Sequence, residues 1–376
     1  MGKSGKTAAA PVKRDDAVNG VRAIAVVAIM AHHYMPPDFF SFNVAKAFNA
    51  LLISIGGYFF AGAAMAERHA LDDTTFRSRA SACGRLIVRQ IVRTWPLVSF
   101  TVALYVMLGY FDGGELTRQI HSTWWLYLLD LGNVPKFMLG DRAFPAHLWT
   151  VAAQDQVVVL IALLLMATNL RTLERWLPAI IAVGFLLRGV LAAILMPQHP
   201  SWALEGPWSV IDVVGIGMLA RFALQHENTR GRLRRAAWTS STLAALLWVV
   251  LPNWNATYYA LAPLIITLIS VGAIMSVTDA ARRSRSSRSL LCHPAAVFLG
   301  KMGLCLFLTH PFVNTVIVLG WPHLTGSRIP WWGLAILGPS IAIPFAWLVH
   351  VCIEQPTITL RAKLGKTMKK QTEAVA

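Results

Sequence analysis

Arg22 and His33 bracket an apolar tract, NGVRAIAVVAIMAHHY at 19–34, in which nine uncharged residues separate one arginine from two histidines. Residues eleven apart on an α-helix are turned through about 1100°, within roughly 20° of one face, and lie about 16 Å apart along the axis. An imidazole in such a tract needs a reason, because a polar group in hydrocarbon costs several kcal/mol unless it is partnered. A neutral imidazole is a general base able to take a proton from a hydroxyl. A guanidinium on the same face at another depth binds an anion. His32 is rotated by about 100° from His33 and faces a neighbouring helix or a carbonyl.

Further ionisable groups fall inside apolar runs. Arg89 and Arg93 stand one turn apart in RQIVRTWP, a spacing at which two guanidiniums grip a phosphorylated ligand. Arg85 reads as a side chain reaching the lipid headgroups. Asp155 and His310 are expected at the level of His33, forming an outer layer above an inner layer of Arg22, Arg89 and Arg93. Lys301 and His310 are candidates to stabilise an oxyanion. Arg188 and Asp212 read as an ion pair between helices.

Helices that cross a membrane must position these groups. Of 376 residues, 56% are hydrophobic and 14% charged, and the mean hydropathy is +0.53. Apolar runs near 20 residues, the length that crosses about 30 Å of hydrocarbon, recur at about 19–36, 46–66, 86–110, 148–168, 175–197, 206–225, 236–252, 256–277, 294–319 and 331–353. The expected fold is an all-α polytopic membrane protein of about ten transmembrane helices. Clusters such as Arg77, Arg79 and Arg85, or Arg230, Arg232, Arg234 and Arg235, alternate with loops poor in cations. That asymmetry puts both termini in the cytoplasm.

Residues 1–18 and 357–376 read as basic cytoplasmic tails flanking one transmembrane domain, 19–356. The net charge of +16 is therefore a topology and lipid-contact signal, with no nucleic acid implied. The outer segment 111–147 carries a tryptophan-rich piece too short to span, suited to an interfacial or re-entrant helix. Cys83, Cys292, Cys305 and Cys352 read as packing residues, without a metal site. The nucleophile elbow, P-loop and dinucleotide fingerprints are absent.

An anion gripped from the cytoplasm, with a long arm reaching a base in mid-membrane, describes acyl-coenzyme A. Five landmarks in order carry a family resemblance: Arg22 with His33, RTWPL at 93–97, HLWTVAAQDQ at 147–156, LGKMGLCLFLTHP at 299–311 and IEQP at 353–356. The chain resembles the acyltransferase family 3 integral membrane proteins, bacterial O-acyltransferases of O-antigen, exopolysaccharide, Nod factors and macrolides. The resemblance implies transfer of an acyl group, usually acetyl, from acyl-CoA to a hydroxyl of a glycan or glycolipid at the inner membrane. Acyl-CoA is then a co-substrate, and no cofactor is permanently bound.

Carried over, His33 is the catalytic histidine and Arg22 its partner, with Asp155 and His310 beside them. Arg89, Arg93, Arg22 and Lys301 are the acyl-CoA contacts. Gln154 and Asp155 stand where the family has two adjacent glutamates, and Gln90 stands where the family, which spaces its two arginines by two residues, has the partner of Arg93. Those departures leave an inactive scaffold of the same fold, or a transporter or flippase, as the alternatives.

Overall fold

The computed structural model describes residues 12–36, 44–112, 115–139, 144–195, 199–250, 254–283 and 290–360. The terminal stretches 1–11 and 361–376, and Arg285 and Arg288, lie outside the described residues. Apolar runs that can satisfy their own backbone in lipid become helices, and no strand occurs among the described residues. The principal elements are α1 (Val12–Tyr34), α2 (Val44–Ala66), α3 (Phe76–Asp112), α4 (Glu115–Leu128), α5 (Asn133–Leu139), α6 (Trp149–Ala167), α7 (Leu170–Leu195), α8 (Ile211–Ala223), α9 (Glu227–Val250), α10 (Trp254–Arg283), α11 (Pro294–Lys301), α12 (Gly303–Thr325) and α13 (Trp331–Val349).

Each expected span coincides with a helix, and seven helices are long and apolar enough to cross a membrane: α2, α3, α6, α7, α10, α12 and α13. Of the others, α1 carries charges in its first turns, α8 has 13 residues, and α9 opens with an arginine cluster. Several boundaries differ from expectation. The first helix starts at Val12, so residues 12–18, expected in the tail, form its first turns, with Ala17 and Val18 fully buried. The third starts at Phe76, ten residues early. The span expected at 294–319 is broken at Met302 into α11 and α12.

The bundle is organised around α2, whose buried residues enter three apolar clusters: one with α6, α7 and α8, one with α1, α3, α12 and α13, and one with α1, α8, α9 and α10. A helix that touches neighbours on every side needs small residues where backbones meet. A Cβ added at Gly217 of α8 would lie 1.8 Å from the Ser54 carbonyl oxygen of α2. Because that obstacle is backbone, Gly217→Ala is expected to push the two helices apart and cost at least about 1–3 kcal/mol. Thermal unfolding in detergent checks this, and an unchanged melting temperature would contradict the packing.

The outer segment folds back into the bundle. Trp95 Nε1 donates to the Leu128 carbonyl at 2.9 Å, which puts the end of α4 seventeen residues down α3 from Asp112, about 25 Å at helical rise. The tryptophan-rich piece is thus re-entrant. At its tip Asp130 adopts a left-handed φ of 59°, a conformation aspartate tolerates. Gln156 of α6 fastens the tip, donating to the Asp130 carbonyl at 3.0 Å and exchanging hydrogen bonds with Asn133.

Candidate active site

On α1, Ile24 and Val27 are exposed on the lipid-facing side. His33 is also exposed, yet it is turned about 180° from Ile24 and 120° from Val27. Its accessible imidazole therefore faces into the bundle. Its ring centroid lies 5.2 Å from that of His310 and 5.5 Å from that of His32. Tyr34, next along α1, donates its hydroxyl to the His310 carbonyl at 2.9 Å, across 276 residues of sequence. The α1–α12 contact thus sets the two histidines side by side.

His310 is fully buried, and its Nδ1 is 2.9 Å from the Leu306 carbonyl. A carbonyl only accepts, so Nδ1 carries the hydrogen and Nε2 keeps the lone pair. That Nε2 is buried without a partner. In the neutral ring the free nitrogen of His310 is an acceptor, so donation to an oxyanion, the role expected for it, takes the imidazolium. His147, which the sequence reading passed over, donates from Nε2 to the Leu308 carbonyl at 3.1 Å.

Below this layer a narrow cavity is lined by Arg22, Thr150, Gln154, Gly303 and Phe307, among others. Its upper wall, Phe307, has its ring 5.7 Å from that of His147 and 6.3 Å from that of His310. Its lower end is Arg22, buried against Gly303, where an added Cβ would come 3.1 Å from Arg22 Nε. The charges of Arg93 and Glu354 act on Arg22. Thr150 Oγ1 is buried with no partner on the same cavity.

Glu354, whose charge acts on Arg22, has partners of its own. It is buried, accepts from Cys305 Sγ at 3.1 Å, and lies 2.5 Å from His350 Nδ1. Cys305, read as a packing residue, is instead a polar contact, and its ligand atom lies within 4.8 Å of those of His350 and Glu354. Among the described residues this is the one cluster able to hold a metal ion. Sequence spacing hid it because Cys305 and Glu354 are 49 residues apart.

The expected single layer of His33, Asp155 and His310 divides. Asp155 accepts from Gln90 Nε2 at 2.6 Å and from Thr94 Oγ1 at 2.8 Å, both on α3, and Arg93 acts on it electrostatically. It thus belongs with the arginines, and its hydrogen bonds go to α3 rather than to the histidines. Gln90 and Asp155, two of the positions that depart from the family pattern, are each other's partners.

The expected arginine pair also divides. The charge of Arg93 acts on Arg22 and Asp155, whereas Arg89 pairs with Glu67 at 2.9 Å. Glu67 also holds Arg85 at 2.8 Å, and Arg85 is buried rather than extended to headgroups. Lys301 is exposed at the end of α11, more than about 10 Å below His310 along the chain, so it does not join the histidines. Arg188 and Asp212 form the expected pair, 2.7 Å apart with both side chains buried.

In comparison with known proteins, a family model described as an acyltransferase domain matches residues 15–351. No curated protein and no solved structure matches the chain.

Proposed function

The chain belongs to the acyltransferase 3 family of membrane acyltransferases, and from that premise we propose that it moves an acyl group, acetyl by preference, from acyl-CoA to a hydroxyl of a glycan or glycolipid. One observation supports this most: an accessible imidazole, turned away from lipid, stands above a cavity whose far end is the buried guanidinium of Arg22. In this reading the protein sits in a bacterial inner membrane with both termini in the cytoplasm, and the donor enters from the arginine side.

The phosphates of acyl-CoA would meet Arg93 and Arg22, bidentate donors suited to phosphate, while Arg89 stays with Glu67. The arm of the donor occupies the cavity, bringing its thioester carbonyl beneath the histidines. His33 gives its own N–H to the unpartnered Nε2 of His310, which fixes the tautomer and leaves the other His33 nitrogen as base. That nitrogen takes the proton of the acceptor hydroxyl as its oxygen bonds to the carbonyl carbon. The carbon–sulfur bond then breaks, and the coenzyme A thiolate takes the proton back from His33. Thr150 Oγ1 and the Gln154 amide, both on the cavity, are the donors for the oxyanion between these steps.

The test is mass analysis of surface polysaccharides and glycolipids from cells with and without the protein, in a host that makes the acceptor. An added acyl mass only with the protein, and incorporation of label from acetyl-CoA in isolated membranes, is expected. Identical glycans in both cells, with no label incorporated, would favour an inactive scaffold.

A further inference from the structure

The end of α13 carries a cluster that the transfer chemistry does not use. Past Val349 the helix widens into one π turn, His350–Glu354. Such turns are rare, and they are frequent at functional sites. This one brings His350 and Glu354 to Cys305, in the first turn of α12. Cys305 is fully buried and Glu354 nearly so, while His350 is half-buried.

Two neighbours share one oxygen. Cys305 Sγ is 3.1 Å and His350 Nδ1 is 2.5 Å from the same Glu354 Oε2, and the three ligand atoms lie within 4.8 Å of one another. Around a tetrahedral zinc ion, with bonds of about 2.3 Å to sulfur and about 2.1 Å to nitrogen and oxygen, neighbouring ligand atoms stand about 3.3–3.6 Å apart. Shifts of about 1 Å therefore admit the ion in place of the two shared hydrogens. A thiolate, an imidazole and a carboxylate suit zinc, whereas calcium and magnesium take oxygen ligands. Exposed Gln355 supports the ring from outside, its Nε2 lying 2.8 Å from His350 Nε2. The amide turns to present its oxygen when that ring nitrogen carries the hydrogen.

We propose that Cys305, His350 and Glu354 bind a zinc ion that ties the start of α12 to the end of α13, with water as the fourth ligand. Binding moves the His350 hydrogen from Nδ1 to Nε2 and releases the Cys305 thiol proton to solvent, leaving a thiolate and a carboxylate on the ion. The charges of Cys305 and Glu354 act on Arg22, and the ion cancels both. Metal loading is thereby linked to the guanidinium at the lower end of the cavity. The binding itself stands apart from the acyltransferase mechanism.

The test is metal binding by the full chain, purified in detergent without a histidine tag, stripped with chelator and titrated with Zn²⁺. Saturation near about one zinc per chain is expected, with a rise in melting temperature. Co²⁺ in its place should give a thiolate-to-metal charge-transfer absorption, which a cluster held by hydrogen bonds alone does not give. Cys305→Ser should abolish that absorption. Cys305→Ser and His350→Ala, on different elements, should each weaken zinc binding by more than the roughly 10–100-fold that a supporting residue costs. Cys352→Ser, at an exposed cysteine of the π turn, should bind zinc as the wild type does. No saturable zinc binding, a cobalt complex without thiolate absorption, or affinity unchanged in both ligand variants would overturn the assignment. The cobalt spectrum is read on the wild type, so it decides even where a variant unfolds.

Discussion

Replacing His33 with alanine is expected to lower acyl transfer by about 10²–10⁴-fold, the usual worth of a positioned general base. The fold should survive, because His33 is exposed on the inner face of α1. Donor binding should survive too, since Arg22 and Arg93 lie a layer below. The measurement is single-turnover transfer from labelled acetyl-CoA, with acetyl-CoA affinity and melting temperature taken on the same preparation. A rate within a few-fold of wild type, in protein that binds the donor normally, would show that His33 is not the base. Parallel loss of donor affinity would instead assign it to binding.

The largest stability effect is expected at Arg188. Removing it as Arg188→Leu leaves the Asp212 carboxylate, fully buried and 2.7 Å from the missing guanidinium, as an uncompensated charge. Breaking such a pair from one side costs about 3–5 kcal/mol, whereas replacing both members with apolar residues is often close to neutral. Arg188→Leu should therefore unfold well below the wild type in a detergent melt, and Arg188→Leu with Asp212→Leu should recover most of the difference. A double variant no more stable than the single one would mean that the pair is not what joins α7 to α8.

How far the sequence carried depends on the range of each interaction. Helix positions were legible because an apolar run near 20 residues declares a span without reference to the rest of the chain. The shared face of Arg22 and His33 was legible because the helical repeat is local, and α1 does carry both inward. The break at Met302 was not: Gly300, Lys301 and Gly303 surround it but do not by themselves end a helix, and the interruption sits where Gly303 of α12 meets Arg22 of α1. The return of α4 along α3 was visible as a short aromatic piece, but its depth is fixed by Trp95 reaching Leu128.

The sequence by itself determined that this is a helical membrane protein of the acyltransferase 3 family and that His33 and Arg22 look the same way from two depths. The tertiary structure alone decided their company. It set the rings of His33 and His310 side by side, put Asp155 on Gln90 and Thr94, held Arg89 on Glu67, and brought Cys305 and His350 to Glu354. The physical reason is that periodicity fixes rotation within a helix, but the partner of a side chain depends on the rotation and depth of the neighbouring helix. Backbone approaches such as Gly217 on Ser54 set those two quantities, and they join residues far apart in the chain.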